Sequence, residues 1–176
     1  MSAHLMAVTV MGKDRPGIVA SVTKVLFEAG CNLEDVTSTI LRGHFAMTLV
    51  VRVPPEVGAP ELEEGLSPVT RDLELVVTVR PVEESAVEVP HPTHMVSVYG
   101  SDRPGIVYRV TELLASNGAN ITDLTSRVIG SAEEPVYALM LEVSLADPEV
   151  VEHRLLALRR ELGVEVSVHP IEPDVL

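Results

Sequence analysis

Hydrophobic and polar residues alternate in two different rhythms along this chain, and the sequence of rhythms occurs twice. Residues 5–11 and 93–99 are short and rich in valine, and they read as strands. Apolar residues then recur at helical spacing. Ile18, Val22, Val25, Leu26 and Ala29 fall on one face, as do Ile106, Val110, Leu113 and Leu114. Strict alternation follows. Phe45, Met47, Leu49, Val51 and Val53 share one side of a strand over 45–53, with Ala46, Thr48, Val50 and Arg52 on the other. Tyr137, Leu139, Leu141, Val143 and Leu145 repeat that pattern over 137–145. Each of these strands pairs back through a turn to a preceding strand, 32–41 or 120–129.

A second helical stripe runs over 148–162, with Val151, Leu155, Leu158 and Leu162 on one face, Asp147 as its cap and Pro148 in first position. Its counterpart at 60–72 is interrupted by Gly65 and Pro68, which predicts a short or kinked helix. Last strands close each half: Leu73, Leu75, Val77 and Val79 in the first, Val164, Val166 and Val168 in the second.

The order is β-α-β-β-α-β, twice. The expected fold class is α+β: two ferredoxin-like domains, each an antiparallel four-stranded sheet with two helices on one face. The halves also share residues. With Asp14 set on Asp102, an offset of 88, identical partners include Val8, Gly12, Arg15, Pro16, Val22, Leu26, Gly30, Asn32 and Asp35. The offset becomes 92 after residue 130, because IGSAEEPV at 129–136 is longer than LRGH at 41–44; that insertion belongs in an exposed hairpin turn. The expected domains are 1–81 and 93–176, joined by an acidic linker at 82–92 that contains Pro90 and Pro92.

Composition narrows the function. Apolar residues are 46% of the chain and aromatic residues 3%, so the cores must be aliphatic. A formal net charge of −13 repels phosphate backbones and anionic membranes, which argues against direct nucleic-acid or membrane binding. No apolar run approaches the roughly 20 residues of a membrane helix. A single cysteine, Cys31, allows no intrachain disulfide, and the N-terminus lacks the basic start of a signal peptide. A cytoplasmic protein is the expectation. Cys31 has Ala119 as its counterpart and reads as a small filler rather than a reactive thiol.

Glu88, His91 and His94 have metal-like spacing, but a proline-interrupted connector does not present side chains as a helix does, so no metal site is expected. No nucleotide loop, nucleophile elbow or Cys-His arrangement occurs. The sequence offers no catalytic residues, no cofactor site and no reason to expect an enzyme.

The repeated stretches GKDRPGIVASVTKVLFEAGCNLED at 12–35 and GSDRPGIVYRVTELLASNGANITD at 100–123 resemble the start of an ACT domain. The tandem layout resembles the glycine cleavage system transcriptional repressor family. That resemblance implies a regulatory, amino-acid-binding module, with ligand held where the loop after the first strand meets the start of the second strand, commonly at an interface between paired ACT units. Carried onto this chain, the loop positions are Gly12, Asp14, Arg15, Gly17 and Ile18, and in the second copy Gly100, Asp102, Arg103, Gly105 and Ile106. The strand-start positions are Asn32 and Leu33, with Asn120 and Ile121.

The residue types suit a zwitterion. Free N–H groups at a helix N-terminus favour a carboxylate, an aspartate can take an ammonium, and an asparagine can do both. No aromatic or basic side chain stands out to hold a large or acidic ligand, which points to glycine or serine. Each residue also has a plainer role. Asp14 also reads as a helix cap alone, Arg15 and Arg103 as exposed ion-pair partners, and Asn32 as a turn residue. The expected function is an amino-acid sensor that changes domain packing or its contact with a partner protein, with room for a homodimer. The rivals are a ligand-free assembly module and a regulatory subunit of a biosynthetic enzyme.

Overall fold

The computed structural model describes residues 4–83, 90–131 and 135–172. The chain divides into two units, with the division after Ala86. The first contains β1 (His4–Lys13), α1 (Ile18–Glu28), β2 (Asn32–Leu41), β3 (His44–Val53), α2 (Ala59–Asp72) and β4 (Val76–Val82). The second contains β5 (His94–Gly100), α3 (Ile106–Ser116), β6 (Asn120–Gly130), β7 (Pro135–Ser144), α4 (Pro148–Leu162) and β8 (Glu165–Pro170). The sheets are ordered β2-β3-β1-β4 and β6-β7-β5-β8, and all their pairings are antiparallel. This is the ferredoxin-like arrangement that the two rhythms predict.

The helical stripes and the alternating strands meet in one aliphatic core per unit. Ile18, Val22 and Leu26 of α1, with Leu62 and Leu66 of α2, pack on Val8, Val10, Leu49 and Val51. Ile106, Val110 and Leu114 of α3, with Val151 and Leu155 of α4, pack on Val96, Val98, Leu139 and Leu141. Asp147 caps α4 as expected: its Oδ1 accepts the Val150 N–H at 3.2 Å. Gly30 and Gly118 adopt the left-handed conformation that ends α1 and α3, with φ of 76° and 69°.

Two expectations need correction. The helix at 60–72 is not short: α2 runs unbroken for 14 residues with Pro68 inside it. Glu61 secures its start, its carboxylate accepting the Gly58 N–H at 3.0 Å, and burial of Leu62 and Leu66 offsets the missing N–H of Pro68. The last strand of the first unit begins at Val76 rather than Leu73. Glu74 adopts a left-handed turn, φ 52°, so Leu75 enters the core from that turn and not from the strand. The turn inserted at 129–136 falls partly, and Glu88 of the linker wholly, outside the described residues.

Antiparallel pairing sets where the loops lie. Lys13 pairs with His44 at one end of the first sheet, whereas Asn32 pairs with Arg52 at the other. The loop after β1 thus sits beside the β2–β3 hairpin, and the Asp14 N–H donates to the Gly43 carbonyl at 2.9 Å.

Candidate functional site

The loop between β1 and α1 is built by Gly17, and its copy between β5 and α3 by Gly105. Both glycines have φ 94° and ψ −6°, and each is the residue at which its helix starts. A Cβ at either position would meet nothing within 4 Å. Glycine is required there for its conformation and not for space. The two loops match to the degree, as expected of a duplication that kept its backbone.

The aspartates do not cap these helices, contrary to the plainer reading of the sequence. Neither α1 nor α3 has a side-chain cap, because the left-handed glycine itself occupies that position, three residues past Asp14 and Asp102. The first intrahelical bonds run from Ser21 N–H to Gly17 C=O and from Arg109 N–H to Gly105 C=O, each 2.9 Å. The N–H groups of residues 18–20 and 106–108 therefore have no acceptor within their helix. Asp14 and Asp102 are exposed, and their carboxylates make no hydrogen bond or ion pair among the described residues. Each loop thus places uncommitted N–H donors close in sequence to an uncommitted carboxylate.

The other predicted site residues divide by role. Gly12 and Gly100 are packing glycines. A Cβ on Gly12 would lie 2.6 Å from Leu75 Cδ2, and one on Gly100 2.8 Å from Val164 Cγ1. Ile18 and Ile106 are each 2% exposed and belong to the cores. Arg15 forms an ion pair with Glu74, which ties its loop to the turn before β4. Arg103 has no such partner among the described residues, because Gly163 stands where Glu74 does.

The strand-start residues do not join the loop within a unit. His44 and Arg52 are eight residue steps apart along β3, about 26 Å at the usual strand rise. Because α1 carries the chain back along the sheet, β2 begins at the end where β1 began. Asn120 likewise pairs with Ser144, while Gly100 pairs with Tyr137 at the other end of β7. Asn32 belongs instead to a small polar network: its Nδ2 donates to Glu34 Oε1 at 3.4 Å, and Arg52 Nε donates to the same oxygen at 2.9 Å. Both bonds hold the Glu34 carboxyl below its ordinary pKa, the Arg52 bond foremost. Sequence reading missed this network because a β-bulge between Leu33 and Asp35 creates it. Leu33 is half-exposed, and Ile121 packs at the margin of the second core. Burial raises the Cys31 pKa, which fits a filler role. No cluster of metal-ligating side chains occurs among the described residues, and no helix there is long and apolar enough to cross a membrane.

Comparison with known proteins matches residues 4–80 and 93–169 to the ACT domain. The chain is similar to the glycine cleavage system transcriptional repressor of Escherichia coli, 28% identical over 177 residues that span 97% of this chain and 92% of the relative. It is also similar to the solved structure of an unknown protein from Galdieria sulphuraria, with a TM-score of 0.80 and 26% identity, covering 97% of this chain and all of that one.

Proposed function

The chain belongs to the ACT domain family, and from that premise we propose that it is a regulatory protein which binds a small amino acid at the loops preceding α1 and α3. One observation carries this reading. In both units an uncapped helix N-terminus, held open by a left-handed glycine, stands next to an aspartate whose carboxylate has no partner among the described residues. The helix N–H groups suit the α-carboxylate, and the Asp14 or Asp102 carboxylate suits the α-ammonium. In the first unit the basic side chain of the loop, Arg15, is taken up by Glu74, which favours a small neutral ligand such as glycine or serine there. Asn32 and Asn120 form a separate candidate at the far end of each sheet.

Binding acts by favouring whichever arrangement of the protein takes the ligand more tightly. Its output is contact with a partner protein, a regulator or an enzyme of amino-acid metabolism, in the cytoplasm. The net charge of −13 favours control of transcription through such a partner over direct contact with DNA. Similarity to the glycine cleavage repressor supports this direction. No catalytic role is assigned to any residue.

The test is thermal unfolding against each of the twenty amino acids at millimolar concentration. A ligand present at 100 times its Kd adds about 2.7 kcal/mol of stability. The expected result is a shift with glycine or serine that disappears in the Asp14→Ala/Asp102→Ala double variant. A shift that survives the double substitution removes the aspartates from the site.

A second reading has its own support. All ten residues of the edge strand β2 are exposed, including Val36, Ile40 and Leu41. A bare edge of this kind suits strand addition by a protein partner. Absence of any amino-acid shift, together with self-association that is lost on Ile40→Lys, would favour this assembly role.

A further inference from the structure

The two units differ at one turn, and the difference frees an arginine. In the first unit the turn after α2 carries Glu74, in left-handed conformation with φ 52°; in the second, Gly163 takes that place with φ 63°. The two turns are equivalent in their contacts. Leu75 N–H bonds to the Thr70 carbonyl and Val164 N–H to the Arg159 carbonyl, while Gly12 and Gly100 pack on Leu75 and Val164. Glu74 holds Arg15 in an ion pair. Gly163 has no side chain to offer, and Arg103 Nη1 reaches to 3.8 Å from the point where its Cβ would be.

A groove opens at the same place, lined by Leu156, Arg159, Arg160, Gly163, Val164 and Glu165. Arg159 is neutralised by Glu165, at 2.6 and 2.8 Å to the two carboxylate oxygens. Arg160 and Arg103 have no ion-pair or hydrogen-bond partner among the described residues. Arg160 thus lines the groove and Arg103 approaches it at Gly163, two guanidinium groups without such a partner among the described residues, in a chain whose net charge is −13. The planar fork of a guanidinium matches a carboxylate in two-point hydrogen bonding. Glu165 lines the same groove and disfavours an extended polyanion.

We infer that this groove is a site for a small dicarboxylate, present in the second unit alone, with Arg103 and Arg160 as its cationic contacts and Gly163 as the residue that keeps it open. In the first unit, the Glu74 carboxylate already occupies the equivalent arginine from within the chain. This site does not depend on amino-acid binding at the Asp14 and Asp102 loops, and either can fail without the other.

The test is titration of the full chain with succinate at constant ionic strength, followed by nuclear magnetic resonance. The signals are the Gly163 amide and the side-chain Nε–H groups of Arg103 and Arg15. Saturable shifts are expected at Gly163 and Arg103 and none at Arg15. Gly163→Glu, which copies the turn the first unit already tolerates, should weaken binding by about tenfold or more, as should Arg103→Ala. Shifts that match those of sodium chloride at equal ionic strength would overturn the site. So would an unchanged succinate Kd in Gly163→Glu, with the variant's remaining spectrum showing the fold intact.

Discussion

Arg52 Nε lies 2.9 Å from Glu34 Oε1, joining β3 to the bulge of β2, and Asn32 donates to the same oxygen. Both bonds favour the charged carboxylate, so Glu34 ionises at lower pH in the folded protein than in the unfolded chain. The sign follows from linkage. The network's stabilisation is present above the unfolded pKa and is lost as pH falls through the folded one. A carbon-detected titration should place Glu34 below the ordinary glutamate value of about 4.3. In Arg52→Ala, where the larger of the two bonds is gone, the value should move back towards it.

Helix capping separates the aspartates. Asp147→Ala removes a real cap and should cost about 1 kcal/mol in urea unfolding. Asp14→Ala and Asp102→Ala remove none and should leave the midpoint essentially unchanged. Equal losses for all three would mean that Asp14 and Asp102 stabilise their helices after all.

The loop glycines should fail for different reasons. Gly12→Ala and Gly100→Ala force a Cβ into Leu75 and Val164, an overpacking cost of about 1–3 kcal/mol. Gly17→Ala meets open space but places an L-residue in the left-handed region, at about 1–2 kcal/mol. Asparagine tolerates that region better than alanine. Gly17→Asn should therefore recover part of the stability lost in Gly17→Ala, whereas Gly12→Asn should recover none relative to Gly12→Ala. Chemical denaturation of these five variants checks the pattern.

Deep core truncations should be costly in both units. Leu66 and Leu155 are fully buried on α2 and α4, and replacing either with alanine should cost about 2–5 kcal/mol. For Leu66 the loss should extend to α2 as a whole, because burial is what sustains a helix containing Pro68. Amide exchange across 59–72 in Leu66→Ala, compared with 148–162 in Leu155→Ala, would show the difference.

Cys31 should react slowly while folded. Burial favours its neutral thiol, and the thiolate is the reacting form. Labelling with a thiol reagent near pH 8 should accelerate when urea unfolds the protein. An undiminished rate in the folded state would contradict its place against the first core.

The periodicities along the chain determined the architecture. A helical stripe such as Ile18, Val22 and Leu26, or an alternation such as Phe45 to Val53, has one geometry that buries its apolar side, so element type and facing surface are local properties. The duplication was legible for the same reason, and so was the cap at Asp147, whose acceptor and donor lie three residues apart. The site was legible only as a list of residues. Whether they meet depends on which end of a sheet each occupies, and antiparallel pairing sends Asn32 to the end away from Asp14. The roles of Glu74 and Gly163, the Glu34 network at the bulge, and the continuity of α2 through Pro68 are likewise matters of tertiary structure. Each joins residues distant in the chain, or sets a local preference against burial, and only the packed molecule decides which prevails.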